Sequence, residues 1–370
     1  MRRHDVALYT PLAAGLYDRA RRAPGGAELQ TTFIARALAR EGMRVAHIVF
    51  PLRDPVIPPE ITVLERAEDA GGRRTIDKAT EVRRTWQALV AADADVYLVR
   101  GASPAVGVIA LFCLVHRRKL LFSSANNYDF TFDTRFGRGL DFESYRLGLR
   151  GADAVVVQTE EQLELARRAF PRLRSVTAIP SFAEPAEPAD SEPRAFLWMG
   201  RIVDYKQPLR YLELAEAVPE ASFWMIATET NETPADLAGE VRARALALTN
   251  VEMLEPRSHE AAMDLVAQTV ANVSTSRLEG MPNVFLEAWA SGVPTLTLEF
   301  DPDGRIASRG LGVAADGSWE RFVSGARELW SERRDRERLS RHVQSYVREV
   351  HSPPVVGGLW AGVCRRLASS

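Results

Sequence analysis

The sequence predicts an α/β protein made of two doubly wound domains of similar size. Three observations carry that expectation. The chain has 370 residues, enough for two or three ordinary domains. Segments with strand character alternate with segments of helical periodicity, the pattern of parallel strands joined by crossover helices. The alternation then stops once, at SFAEPAEPADSEP (residues 181–193), a stretch of Pro, Ala and acids without periodicity, and starts again.

The elements follow in order. DVALYT is a strand, and GGAELQTTFIARALAREG is a helix with apolar residues at helical spacing and a closing glycine. RVAHIVFP and VYLVRG are strands, VGVIALFCLV (106–115) a helix, and KLLFSSA a strand. The run 106–115 is too short to span a bilayer and reads as a buried helix. ADAVVVQTEEQLELARRAF is a strand followed by a helix that starts near Thr159. Beyond the linker, AFLWMG, ASFWMIATE, VEMLE, TVANVSTS and VPTLTLE are strands, while PLRYLELAEAV and PNVFLEAWASG are helices. After about residue 340 the breakers Pro353, Pro354, Gly357 and Gly358 suggest two short helices.

Charge and composition exclude several functions. The net charge is −2, which leaves no electrostatic footprint for nucleic acid. Through residue 185 there are 27 Lys+Arg against 22 Asp+Glu, and beyond it 20 against 27, so a basic first half precedes an acidic second half. Arg21-Arg22 and Arg117-Arg118-Lys119 supply much of the basic excess. They are either solvated or face an anionic lipid surface or a lipid-diphosphate acceptor. Cys113 and Cys364, both in apolar surroundings, make no disulfide framework and fit a reducing compartment. MRRHDVALYTPLA reads as a first strand, not a signal peptide. The expected location is therefore the cytoplasm, with the N-terminal domain in peripheral contact with the inner membrane face as a further expectation. The six histidines show no zinc spacing. Asp301-Pro302-Asp303 imitates a metal-binding pair of acids, but it follows a strand and precedes Gly304, so it reads as a polar turn. Neither a metal nor a cofactor is expected.

Three stretches carry chemistry. In RLEGMPNVFLEAWASGVP (277–294) the helix reads as apolar all round, hence buried, yet it holds Glu287 with no basic residue three or four positions away. Its partner must be a distant arginine or a ligand; the two hydroxyls of a ribose suit the two oxygens of a carboxylate. Glu279 lies before the turn Gly280-Met281-Pro282, and Asn283 heads the helix, whose start is a ready anion site. In MGRIVDYKQP (199–208), Gly200 and Arg201 end a strand and Lys206 precedes a helix that Pro208 can open. Two cations outside the carboxyl end of a strand can stabilise a departing diphosphate without a metal; two ordinary solvated cations are the alternative. In PGGAE (24–28), Gly25 and Gly26 let the backbone approach a ligand, and the pattern is not the G-x-G-x-x-G of a dinucleotide site.

In this order the three stretches resemble the retaining glycosyltransferases of family four (group 1), which have the GT-B fold: two Rossmann-like domains facing each other across a cleft. Glu279 and Glu287 match the family's E-x7-E pattern, Gly200, Arg201 and Lys206 its G-R-x-x-x-x-K pattern, and Gly25 and Gly26 its N-terminal glycine loop. VVVQTEEQLEL (155–165) is also similar to the family. The resemblance implies an acceptor-side domain over 1–183, a donor-side domain over 184–345, and C-terminal helices over 346–370 that return to the first. It implies that Glu287 holds the ribose, that Glu279 and the N–H groups from Gly280 to Asn283 contact the donor sugar, and that Arg201 and Lys206 bind the diphosphate. The base is expected to be read near Leu254 to Ser258.

Two departures stand out. The family commonly places a histidine after an N-terminal-domain strand; in KLLFSSANNYDF that position falls on Asn126 or Asn127, neither of them a base. Asn126 can orient the sugar, and Asp129 is a substitute acid to consider. Thr275-Ser276 stands where Pro-Ser is common. The expected activity is transfer of a sugar from a nucleoside-diphosphate sugar, a UDP- or GDP-sugar above all, to a hydroxyl of a glycan or lipid-linked acceptor. The rivals are a sugar-nucleotide epimerase or phosphorylase on the same fold, and a binding protein without activity.

Overall fold

The computed structural model describes residues 3–21, 25–68, 78–131, 139–186, 192–255 and 259–370. These fall into two units, Met1–Phe182 with Pro353–Ser370, and Ala183–Ser352.

The first unit is a seven-stranded parallel sheet. Its strands are β1 (His4–Tyr9), β2 (Val45–Val49), β3 (Ile61–Glu65), β4 (Ala94–Arg100), β5 (Lys119–Ser123), β6 (Ala154–Val157) and β7 (Val176–Ala178), in spatial order β3-β2-β1-β4-β5-β6-β7. The order reverses between β1 and β4, which opens a crevice at their carboxyl ends. Helices α1 (Gly26–Arg40), α2 (Lys78–Ala92), α3 (Ala105–His116), α4 (Tyr128–Thr131), α5 (Leu140–Arg150) and α6 (Glu160–Ala169) connect the strands. Strand residues alternate between two cores because successive side chains point to opposite faces. Tyr97, Val99 and Phe122 pack with α3 and α5 residues, while Leu98, Leu121 and Val156 pack with Ile34 and Leu38 of α1. α6 begins where the sequence places it, because the Thr159 hydroxyl accepts from the Gln162 N–H and caps it.

The second unit is a six-stranded parallel sheet of β8 (Ala195–Arg201), β9 (Phe223–Thr228), β10 (Val251–Met253), β11 (Thr269–Ser274), β12 (Thr295–Thr297) and β13 (Gly312–Ala314), in order β10-β9-β8-β11-β12-β13. Its helices are α7 (Pro208–Ala217), α8 (Ala235–Ala247), α9 (His259–Ala267), α10 (Asn283–Ala290), α11 (Arg305–Arg309), α12 (Trp319–Ser331) and α13 (Glu337–Val350). The last helix, α14 (Pro353–Ala368), belongs to the first unit and lies on α1. Pro353 opens it at a position where a missing N–H costs nothing. Gly357 inside it lets the helices approach, since a Cβ there would stand 3.1 Å from that of Ala37.

Four expectations need correction. The two terminal helices are not short: α13 spans 14 residues and α14 spans 16, because burial of Val343, Tyr346 and Val347 on one side and of Trp360 and Cys364 on the other outweighs the glycines. The terminal segment joins the first unit at 353 and not at 346, since Tyr346 and Val347 pack against Trp289 in the second. α3 is not buried all round: Val106, Ile109, Phe112 and Cys113 face the core, but Leu111, Leu114 and Val115 are exposed. Finally, α10 keeps one open stripe, described below. Of the linker at 181–193, residues 187–191 lie outside the described residues. Among the described residues no helix is long and apolar enough to cross a membrane.

Candidate active site

In the second unit Arg201, Lys206 and Glu279 lie beyond the carboxyl ends of β8 and β11. Lys206 follows β8 by a short turn, and its Nζ donates to Oε1 of Glu279 at 2.5 Å. Both side chains are 16% exposed, so the pair is largely withdrawn from water yet reachable. The Ser276 hydroxyl donates to the same Glu279 oxygen at 2.9 Å. Behind them the Thr275 hydroxyl donates to the Lys206 carbonyl at 2.6 Å and accepts from the Trp198 indole at 3.1 Å. Thr275 therefore ties the lysine turn to the strand ends. Gly200 leaves room for the lysine stem: a Cβ there would lie 3.2 Å from Lys206 Cδ.

Arg201 turns to Tyr205 and Glu232, donating to the phenol oxygen at 2.7 Å and to the carboxylate at 2.8 Å. Lys206 Nζ lies 5.8 Å from the centre of the Tyr205 ring, so both cations meet on that tyrosine. The Tyr205 carbonyl accepts the Arg277 N–H, which fixes the loop that carries Glu279. Tyr205 was missed in the sequence, although it stands inside MGRIVDYKQP. Only the folded loop shows that its ring meets both cations.

Glu279, Gly280, Met281 and Pro282 form the turn before α10. Met281 is 6% exposed and packs with Phe285 and Trp289, and Gly280 and Pro282 on either side of it are buried as well. No side chain caps α10 at Pro282. Phe285, Leu286, Ala288, Trp289 and Ala290 are buried, and Trp289 Nε1 donates to the Thr295 hydroxyl. Asn283, Val284 and Glu287 are half-buried and share one stripe of the helix. The expectation of a helix buried all round fails at this stripe: Glu287 sits at the partly open edge, in line with the helix start.

In the first unit, Gly25 is the extended residue before α1, and a Cβ on it would stand 3.1 Å from the Glu28 carboxylate. The glycine thus has a local reason: Glu28 folds back to the positive end of its own helix. Gly26 is the first residue of α1, and Pro24 lies outside the described residues. Asn126 accepts the Tyr128 N–H on its Oδ1 at 2.8 Å. Asn127 is 2% exposed, and its amide has no partner among the described residues. Asp129 is not placed as an acid. It is 2% exposed and accepts from the N–H groups of Ala102, Ala125 and Asn126 and from the Ser124 hydroxyl. Burial holds its pKa above the ordinary carboxylate value, the four donors pulling the other way.

Asp301 accepts the N–H groups of Ile306 and Ala307, a turn-shaping role. Among the described residues whose side chains are placed, no group of three His, Cys, Asp or Glu could hold a metal. Of the expected base-reading stretch, residues 256–258 lie outside the described residues.

The comparisons place this architecture. Residues 182–345 match the family described as glycosyl transferases group 1. The fold is that of the GT-B glycosyltransferases. Sucrose-phosphate synthase from Thermosynechococcus elongatus matches with a TM-score of 0.76 at 15% identity, covering 100% of both chains. HepE of Anabaena, solved in complex with UDP and glucose, matches with a TM-score of 0.74 at 15% identity over 98% of this chain and 99% of that one. A glycosyltransferase from Rickettsia africae matches with a TM-score of 0.68 at 12% identity over 98% of each chain. No curated protein gives a significant sequence match. The second unit therefore carries a glycosyl transferases group 1 domain, in a chain whose fold is that of the GT-B glycosyltransferases.

Proposed function

We propose that the protein moves a hexosyl group, with retention at the anomeric carbon, from a UDP- or GDP-sugar to a hydroxyl of a glycan or lipid-linked acceptor. The observation that carries this reading is the 2.5 Å pairing of Lys206 with Glu279. It brings the two motifs to one place at the strand ends, where a diphosphate and a sugar would meet. Lys206 and Arg201 neutralise the diphosphate as it leaves. Glu279 accepts from sugar hydroxyls, helped by the N–H groups of the turn Gly280 to Asn283. Glu287, on the open stripe of α10, takes the ribose hydroxyls. Gly25 and Gly26 form the donor-facing loop of the first unit, and Asn126 orients the sugar.

No side chain is assigned as a base. The acceptor oxygen bonds to the anomeric carbon on the face from which the phosphate departs. The carbon–oxygen bond to the phosphate breaks, and the acceptor's proton passes to that phosphate oxygen. Such a step asks the protein for charge stabilisation and positioning, which the cations and the turn supply. HepE and a pneumococcal O-GlcNAc transferase, both solved with UDP, support a uridine donor.

The test is calorimetric titration with UDP, GDP, ADP, dTDP and NAD, each in EDTA. Tight binding of one nucleoside diphosphate without metal supports the reading and names the base. Binding of NAD alone, or of nothing, overturns it. Product analysis with the matching sugar nucleotide then separates transfer from isomerised donor or sugar phosphate.

A further inference from the structure

Both cations assigned to the diphosphate are paired with carboxylates of the chain itself: Lys206 with Glu279, and Arg201 with Glu232. The two pairs are not alike. Glu279 is 16% exposed and is also held by Ser276. Glu232 is 52% exposed and stands on the loop after β9, outside both motifs.

That loop is shaped to present it. β9 runs beside β8 with Thr228 opposite Arg201, so the chain leaves the sheet next to the arginine. It then turns at once. The Thr230 N–H donates to the Thr233 hydroxyl at 2.9 Å, the Thr233 N–H to the Thr230 carbonyl at 3.0 Å, and the Glu232 N–H to the Thr230 hydroxyl at 3.3 Å. These local bonds fix the backbone, and the Glu232 carboxylate accepts from Arg201 Nη1 at 2.8 Å. Glu229, earlier in the same loop, pairs with Arg242 of α8 instead. The Arg201 side chain is itself 38% exposed, so its pair with Glu232 lies within reach of water. Such an exposed pair shifts an equilibrium by about fivefold at most, and a more highly charged anion can displace the carboxylate.

We propose that Glu232 and the nucleoside diphosphate compete for Arg201, and that this competition helps the product to leave. The inference rests on the donor reading above. The charges of the two nucleotides give the competition its direction. The diphosphate carries about two negative charges in the sugar nucleotide and about three in the released nucleoside diphosphate near pH 7, because a terminal phosphate has a second pKa of about 6. The product therefore holds Arg201 and Lys206 more strongly than the donor does. Glu232, tethered on its turn, takes Arg201 back whenever a phosphate oxygen lets go. Glu279 has the donor sugar to hold, so the competing task falls to Glu232.

The experiment is calorimetric titration of the full chain with UDP, GDP and ADP in EDTA at low salt, with stopped-flow measurement of how fast the bound nucleotide dissociates. Glu232→Gln should bind the nucleoside diphosphate about fivefold more tightly, most of the change lying in slower dissociation, with a melting temperature near the parent's. The gain should shrink as salt rises. Glu229→Gln should match the parent, and in an Arg201→Ala background Glu232→Gln should add nothing. Affinity equal to the parent's makes the pair idle, and weaker affinity makes Glu232 a ligand contact; either overturns the proposal. So does an equal gain from Glu229→Gln, or a gain that survives Arg201→Ala, since each is a general effect of charge. If neither parent nor variant binds any of the three nucleotides, the donor reading falls and this inference with it, whereas binding that Glu232→Gln leaves unchanged sinks the inference alone.

Discussion

The carboxyl ends of the two sheets are built in opposite ways. In the second unit the polar groups there are half-open and engage one another: Lys206 with Glu279, Arg201 with Tyr205. In the first unit Asp129, Gln158 and Gln30 are buried and bonded largely to backbone. Asp129 takes four donors, and Gln158 donates to the carbonyls of Ser124 and Ala125 while accepting from Ser181. Gln30 exchanges two hydrogen bonds with Phe182 where the chain leaves the unit. A carboxylate whose lone pairs are spent on N–H groups shapes a loop, whereas one held by a single lysine and a serine can still change partners. A carboxylate near the strand ends is thus spent on its own loop in one unit and held only by side chains in the other.

The largest effect that would break this contrast is at Lys206. Lys206→Ala should lower kcat by about 100- to 1,000-fold, the range for removing one charge-stabilising group, with the melting temperature little changed. Steady-state rates near the parent's would place the chemistry elsewhere. Asp129→Ala should do the reverse in kind. It strands three N–H groups and a hydroxyl, and should cost about 2–4 kcal/mol in urea unfolding. If it instead abolished turnover in a protein of parental stability, Asp129 would be an acid after all.

A pH effect separates the units next. His47 of β2 is fully buried, its Nδ1 bonded to the Tyr17 hydroxyl at 2.8 Å, and burial pushes its pKa down to about 3. The unfolded chain binds a proton there near pH 6.5 and the folded chain does not, so stability falls as pH drops below that value. Between pH 7 and pH 5 the first unit should lose roughly 2 kcal/mol by this route, and His47→Asn should flatten that slope. The smallest effect is at Glu287. Glu287→Gln should weaken nucleoside-diphosphate binding by about tenfold, one charge-assisted hydrogen bond's worth, with no change in stability. Unchanged affinity in a titration would return Glu287 to a structural part.

Much of the second unit's site is legible in the chain because short segments hold it. MGRIVDYKQP spans a strand end, a turn and a helix start, and EGMPNVFLEAWA a turn and a helix, so local geometry fixes most side chains in them. The first unit's strand ends are not legible in this way. The partners of Asp129 are scattered from Ala102 to Asn126, and the partner of Gln30 is Phe182, 152 residues away. Nothing in a linear pattern tells a spent carboxylate from a waiting one.

The sequence by itself determined the alternation of strands and helices, the break between two units, and the motif residues at the ends of β8 and β11. Hydrophobic periodicity and turn chemistry are local, and they are printed in neighbouring residues. Tertiary structure alone decided how deeply each acid is buried and which groups it bonds, where Tyr205 stands, and that α10 opens one stripe at Glu287. It also decided that α3, apolar on every side, turns Leu111 and Leu114 outward. Burial depends on what lies across the gap, and that neighbour comes from a distant part of the chain.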